Sequence, residues 1–240
     1  MNEILAIDAG NSLIKLGIFR NFNLIEWWQF SYSRIENMHL SRNINRAKIS
    51  TVVPSKNNVI ESFLDSNNIK DYSFLNSFNV KNLDIRYDTP RTLGSDRIAL
   101  GIAGYYYYGK FTHKPTIIIS CGTAITSNVV LEDGTFVGGS IMPGIDMMIE
   151  ALHKNTDQLP PIENIDLSKS DIAKSSNDGI LSGIVYAIEG FIENICLALN
   201  DCDLILTGGN ARNIGSIIHR NYTIEDNLVL KGLALEENFS

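Results

Sequence analysis

Ile117-Ile118-Ile119-Ser120-Cys121-Gly122-Thr123-Ala124-Ile125-Thr126-Ser127-Asn128-Val129-Val130 is a β-branched run interrupted by a small, hydroxyl-rich turn. β-branched side chains fit a pleated strand, so the stretch predicts two antiparallel strands joined by a tight hairpin. Gly122 lets backbone N–H groups approach an anion closely, and the Thr123 and Thr126 hydroxyls add donors beside it. Such a turn suits phosphate, although small polar residues are also ordinary turn formers.

The chain carries the pattern twice. Ile4-Leu5-Ala6-Ile7 runs into Asp8-Ala9-Gly10-Asn11-Ser12, and Leu13-Ile14-Lys15-Leu16-Gly17-Ile18-Phe19 follows. Two strand–turn–strand units roughly half a chain apart predict duplicated halves facing each other across a cleft, with a phosphate between the turns. His113-Lys114-Pro115 reads as the connection, which divides the chain into halves 1–113 and 114–240.

Composition narrows the function class. At 240 residues and 44% hydrophobic content the chain can bury substantial cores. The 20 Lys and Arg against 27 Asp and Glu leave a net charge of −7. The basic residues are scattered, so neither a nucleic-acid groove nor an anionic membrane surface is indicated. Cys121, Cys196 and Cys202 are odd in number and lack C-x-x-C spacing, which argues against a zinc site or a disulfide framework and for a reducing cytoplasm. The apolar run before Asp8 is too short for a signal-peptide core, and no later run is expected to reach the length that crosses a bilayer.

Between the turns, Leu24 to Ser33 predicts a third strand of the opening meander, Ile35 to Ile44 a helix, and Arg46 to Pro54 a buried strand. Asn57 to Asn67 has helical spacing, and Tyr72 to Leu75 and Leu83 to Tyr87 are short strand candidates. Gly94-Ser95-Asp96-Arg97 opens a helix with small residues at Ala99, Ala103 and Gly104 that ends at Gly109. Ser95 or Asp96 can cap that helix and Arg97 can form a surface ion pair. The same Asp and Arg at a helix N-terminus can equally supply a base and an anion clamp. Four tyrosines, Tyr105 to Tyr108, are too many for one helix face, so some must meet an edge or an interface.

In the second half, Thr135 to Gly144 is a Gly-rich strand and loop that leads into a helix over 145–152. A long helix spans 177–199, with Gly179 and Gly183 predicted to allow tight packing. Leu206-Thr207-Gly208-Gly209 ends a strand in a glycine turn, placing backbone amides at a carboxyl end where nucleotides are commonly held.

Taken in series, Asp8 to Ser12, Tyr87-Asp88-Thr89-Pro90, Gly94 to Arg97, Gly122-Thr123-Ala124, Gly138 to Gly144 and Leu206 to Gly209 closely resemble type III pantothenate kinase over nearly the whole chain. Each motif is weak alone; six in order are specific. The resemblance implies an α/β fold of duplicated ribonuclease-H-like, actin-like halves, with mixed sheets flanked by helices. It implies phosphoryl transfer from ATP to the terminal hydroxyl of pantothenate, the first step toward coenzyme A, by a homodimer. Asp8, Ala9, Gly10, Asn11, Ser12, Leu13, Ile14 and Lys15 correspond to the first ATP-binding turn, with Mg²⁺ near Asp8, and Thr123 to a second phosphate contact. Tyr87, Gly94, Ser95, Asp96, Arg97 and Ser176 correspond to the pantothenate site, Asp96 as proton acceptor and Arg97 toward the substrate carboxylate.

Two departures stand out. Ser120 occupies a position where the family usually has an Asp associated with a monovalent cation such as K⁺ or NH4⁺, and Asn128 replaces another usual Asp. They keep open two other readings: a different small-molecule kinase of the superfamily, or a non-catalytic nucleotide-binding relative.

Overall fold

The computed structural model describes residues 3–36, 38–168 and 172–238. The chain opens with β1 (Glu3–Ala9), β2 (Ile14–Arg20) and β3 (Asn23–Phe30), an antiparallel meander. A short α1 (Tyr32–Ile35), then β4 (Arg46–Thr51), α2 (Asn57–Ser66) and β5 (Asp71–Phe74) complete the first sheet, with β4 and β5 parallel to β1. β6 (Asp84–Ile85) and α3 (Ser95–Gly104) follow; α3 continues through a π-helical turn, Tyr105–Gly109, into α4 (Lys110–Thr112). The second half contains β7 (Thr116–Cys121), β8 (Ala124–Val130), β9 (Thr135–Gly138) and β10 (Ile141–Pro143). It then runs through α5 (Ile145–Lys154), α6 (Ser176–Leu199), β11 (Asp203–Thr207), α7 (Ala211–Gly215), β12 (Thr223–Ile224) and α8 (Leu228–Asn238).

The strand order states the duplication. The first sheet is β3-β2-β1-β4-β5, and the second contains β9-β8-β7-β11-β12 in the matching arrangement, with β6 added beside β9. In each, an antiparallel meander is extended by two parallel strands. The chain crosses between the halves: β6 pairs with β9, and α8 packs against β1 and β4.

Side-chain alternation then builds the layers. Leu5, Ile7 and Ala9 of β1 face a core shared with α2, whereas Ala6 faces the opposite side. Ile117, Ile119 and Cys121 of β7 face a core with α5, α6 and α7, whereas Ile118 faces inward. Between the two sheets lie α3 and α8, joined there by Ile118, Phe136 and Ile205. Gly232 makes this middle layer possible, since a Cβ there would overlap the Ala99 carbonyl.

Several expectations are corrected. Ile35 to Ile44 is not a helix in its described residues beyond the end of α1, and residue 37 lies outside them. The Asn67 side chain takes the Leu40 N–H and donates to the Met38 carbonyl, giving this segment non-helical backbone partners. The helix after Asp96 does not end at Gly109; the π turn carries it to His113, which adopts a left-handed φ of 56°. Gly179 and Gly183 are not tight contacts: a Cβ at Gly183 would meet nothing within 4 Å, and one at Gly179 only Ala173. α6 spans 24 residues, close to the expected helix, but by length and composition alone it reaches a membrane span, contrary to the expectation that no apolar run would. Ile180, Ile184, Ile188 and Ile192 on it are buried in the core of the second sheet.

Candidate active site

The same alternation that fills the cores aims polar groups into the space between the sheets. Asp8 shares the inner face of β1 with Ala6, and Lys15 lies opposite it on β2. Ser120 shares the inner face of β7 with Ile118, level with Thr126 on β8 and Thr207 on β11. The carboxyl ends of both sheets therefore open on one cavity of about 680 Å³. Asp8, Asp96, Ser12, Thr123 and Ser120 line it.

The two glycine turns meet there. Ser12 Oγ and Thr123 Oγ1 are 3.3 Å apart, although their residues lie on opposite halves of the chain. Tyr32 donates its hydroxyl to the Gly10 carbonyl at 2.7 Å, and the Gly10 N–H bonds to the Leu13 carbonyl, which together fix the first turn. In the second, Gly122 N–H donates to Ala124 O, and Gly144 N–H to Thr123 O. Gly208, at φ 97°, brings the β11 turn against Cys121, too close for any side chain.

Asp96 stands in the first turn of α3, whose N-cap is Gly94 with no side-chain capping bond. The capping expectation for Ser95 and Asp96 is thus corrected. Ser95 Oγ instead bonds Thr51 N and O and Ser50 Oγ, locking α3 to β4. Asp96 Oδ1 accepts the Arg97 N–H at 2.8 Å, and a Cβ at Gly94 would sit 2.5 Å from that oxygen. The surface ion-pair reading of Arg97 is also overturned. The residue is buried, donating Nε–H to Asn128 Oδ1 at 2.7 Å and Nη2–H to the Ser127 carbonyl at 3.1 Å.

Burial, then the charge of Asp96, pushes the Asp8 carboxyl up to about 7, while Lys15 pulls the other way. Burial likewise raises Asp96, opposed by the N–H and charge of Arg97. In the unfolded chain Asp8 ionises near its ordinary 3.8. Between that value and about 7 the folded state holds the extra proton, so stability falls as pH rises through this window. The expected result is a melting temperature lower at about pH 8 than at about pH 5, with Asp8→Asn removing most of the difference and raising stability at the higher pH. Parallel pH profiles for the two proteins would contradict this.

The sequence-derived residues separate into groups. Asp8, Gly10, Asn11, Ser12, Leu13, Lys15, Asp96, Ser120 and Thr123 line the cavity. Ala9 and Ile14 turn away into the core beneath the first sheet. Tyr87 and Arg97 stack at 5.9 Å behind Asp96, next to Gly138. Ser176 lies apart, in an apolar groove of about 590 Å³ between α5 and α6. Sequence reasoning missed Gln29, Asp146 and Asn210, which also line the cavity, and Tyr32 behind it. Asp146 follows Gly144 in the first turn of α5, and reading that helix start as an element facing the second turn would have found it.

Two sheets of matching order, with acidic and hydroxyl groups converging at a shared carboxyl-terminal cleft, are the features of an actin-like phosphotransferase. A crystal structure of a hexokinase of the ROK type from Thermus thermophilus matches with a TM-score of 0.55 at 10% identity, over 99% of each chain. A Campylobacter jejuni protein assigned to the Baf family of transcriptional activators matches with a TM-score of 0.69 at 18% identity, over 98% of each chain. At these identities both establish the fold alone. The family model for type III pantothenate kinase matches residues 4–198. The type III pantothenate kinase of Christiangramia forsetii is 34% identical over 95% of each chain. The chain belongs to the type III pantothenate kinase family, enzymes that phosphorylate pantothenate in coenzyme A biosynthesis.

Proposed function

We propose that this protein transfers the terminal phosphoryl group of ATP to the terminal hydroxyl of pantothenate in the cavity between the two glycine turns. The observation that carries the reading is the convergence of Ser12, Thr123, Asp8 and Asp96 on one cleft. The turns offer N–H and hydroxyl donors to the phosphates. Asp96 accepts the hydroxyl proton as the oxygen attacks the γ-phosphorus and ADP leaves. Lys15 adds positive charge on the Asp8 side. Asp8, buried beside a second carboxyl, fits the Mg²⁺ that accompanies ATP. Mg²⁺ in such sites is commonly held by one or two carboxylates together with substrate phosphates. Bound Mg²⁺ would neutralise phosphate charge.

Measuring ADP release with a panel of acceptors tests this assignment. Pantothenate should be used and simple sugars should not; turnover with a sugar alone would favour the broader kinase class.

The monovalent-cation reading belongs to the same proposal. Ser120 offers a neutral oxygen to the cavity, so activity should respond weakly to K⁺ titrated against Na⁺ at constant ionic strength. Ser120→Asp should strengthen the response. A strong wild-type requirement left unchanged by the substitution would refute the idea.

We further infer two duplicated units, 1–113 and 114–240, with β6 and α8 exchanged across them, and a cytoplasmic homodimer. Limited proteolysis whose first cuts fall inside a unit, with none near residues 113–115, would count against that division. For the dimer, Leu152 in the Ser176 groove, and Ile141, Met147 and Tyr186 elsewhere on and beside α5 and α6, expose apolar surface. The tyrosines contribute less than their sequence suggests, because Tyr105, Tyr106 and Tyr108 pack against the middle layer. Light scattering at assay concentration should give twice the 26.7 kDa chain mass; an active monomer would refute it.

A further inference from the structure

Four charged side chains line the cleft: Asp8, Lys15, Asp96 and Asp146. The place of Asp146 is set by Gly144, whose N–H donates to the Thr123 carbonyl at 2.9 Å. A Cβ at Gly144 would overlap the Gly122 and Thr123 carbonyls, so only glycine lets the start of α5 press on the second turn. Two residues on, Asp146 stands in the first turn of α5, exposed in the cleft. Asp8 thus approaches the meeting point of Ser12 and Thr123 from the first half of the chain, and Asp146 from the second.

Among the described residues the Asp146 carboxylate has no hydrogen bond or ion pair. The cleft therefore presents three carboxylates against one ammonium, that of Lys15. Burial favours the neutral forms of Asp8 and Asp96, whereas Asp146 is exposed. A bare polyphosphate entering this space meets a like charge beside the very turn whose donors it needs. A divalent cation carried on the phosphates reverses that balance, because the same carboxylate then faces positive charge. Carboxylates reaching a phosphate site from two sides are also a donor set that suits Mg²⁺. An acidic residue in a first helical turn complements the helix dipole as well, but that benefit is the same whichever form of the nucleotide is bound.

We propose that Asp146 is a specificity residue for the metal-complexed nucleotide: its unpaired carboxylate opposes bare polyphosphate at the second turn and favours the Mg²⁺ complex. The inference rests on the assignment of the two turns to ATP and deepens it by naming a residue that makes nucleotide binding depend on the metal.

The test is calorimetric binding of ADP, with excess Mg²⁺ and with a chelator in its place. Wild type should bind the Mg²⁺ complex more tightly. Asp146→Asn should lower the ratio of the two affinities by about 10-fold, chiefly by tightening the binding of free ADP. The ratio should stay above one, because Asp8 remains. Asp146→Glu, which keeps the charge, should keep most of the preference. A ratio unchanged in Asp146→Asn, or lowered equally in Asp146→Glu, would overturn the inference, since a purely structural role shifts both forms alike. Wild type that binds free ADP as tightly as its Mg²⁺ complex would overturn it too, while leaving the nucleotide assignment standing. Wild type that binds neither form would refute that assignment and the inference with it.

Discussion

Asp96→Asn should lower kcat by about 100-fold or more while the protein melts at or above the wild-type temperature. The amide keeps an oxygen for the Arg97 N–H, so the first turn of α3 retains its bond. What it loses is the ability to take a proton, a contribution typically of about 100- to 10,000-fold. Stability should not fall, because the carboxyl is buried and its ionised form is disfavoured there. Asp8 should titrate lower in the variant, since the charge of Asp96 is the second cause of its displacement. Near-normal turnover would remove Asp96 from the role of base. A large drop in melting temperature would mean that the carboxylate is structural.

The second large effect concerns the layer that carries Asp96. Gly232→Ala should destabilise the protein by about 3 kcal/mol, and Gly232→Val should prevent folding, because any Cβ on this face of α8 overlaps the Ala99 carbonyl of α3. Gly183→Ala is the matched control. That glycine also lies within a helix, but its added methyl meets nothing within 4 Å, so helix propensity alone should stabilise the variant by about 0.5–1 kcal/mol. Denaturant unfolding of the two variants should therefore give shifts of opposite sign. A Gly232→Ala protein as stable as wild type would mean that the α3–α8 contact does not limit stability.

The contrast between these two glycines marks what a single sequence carries. The strand–turn–strand repeats were legible because β-branched runs, glycine turns and residue alternation are local, and alternation alone aims Asp8 and Ser120 inward. Helix α3 was legible as an element, but not the burial of Arg97, which depends on β8 approaching from 30 residues away in sequence. The closeness of Gly232 to Ala99 is likewise set by two helices brought together between sheets. At Ile35 to Ile44 the apolar spacing permitted a helix, yet the distant Asn67 gives the backbone of Met38 and Leu40 other partners. Gly183 failed the other way: small residues in a helix suggest close packing, and here they border an open apolar groove. Ala9 and Ile14 sit inside the phosphate motif in sequence and outside the cavity in space, since alternate residues of a strand face opposite sides.

The central claim is that the facing turns and Asp96 form one site for transfer from ATP to pantothenate. Its most direct test follows the phosphorus NMR spectrum of purified protein with ATP, Mg²⁺ and pantothenate. One new phosphomonoester on the terminal hydroxyl of pantothenate should appear for each ADP formed, and Asp96→Asn should suppress both together. ADP accumulating without phosphopantothenate, or no reaction under conditions where the protein remains folded, would contradict the account.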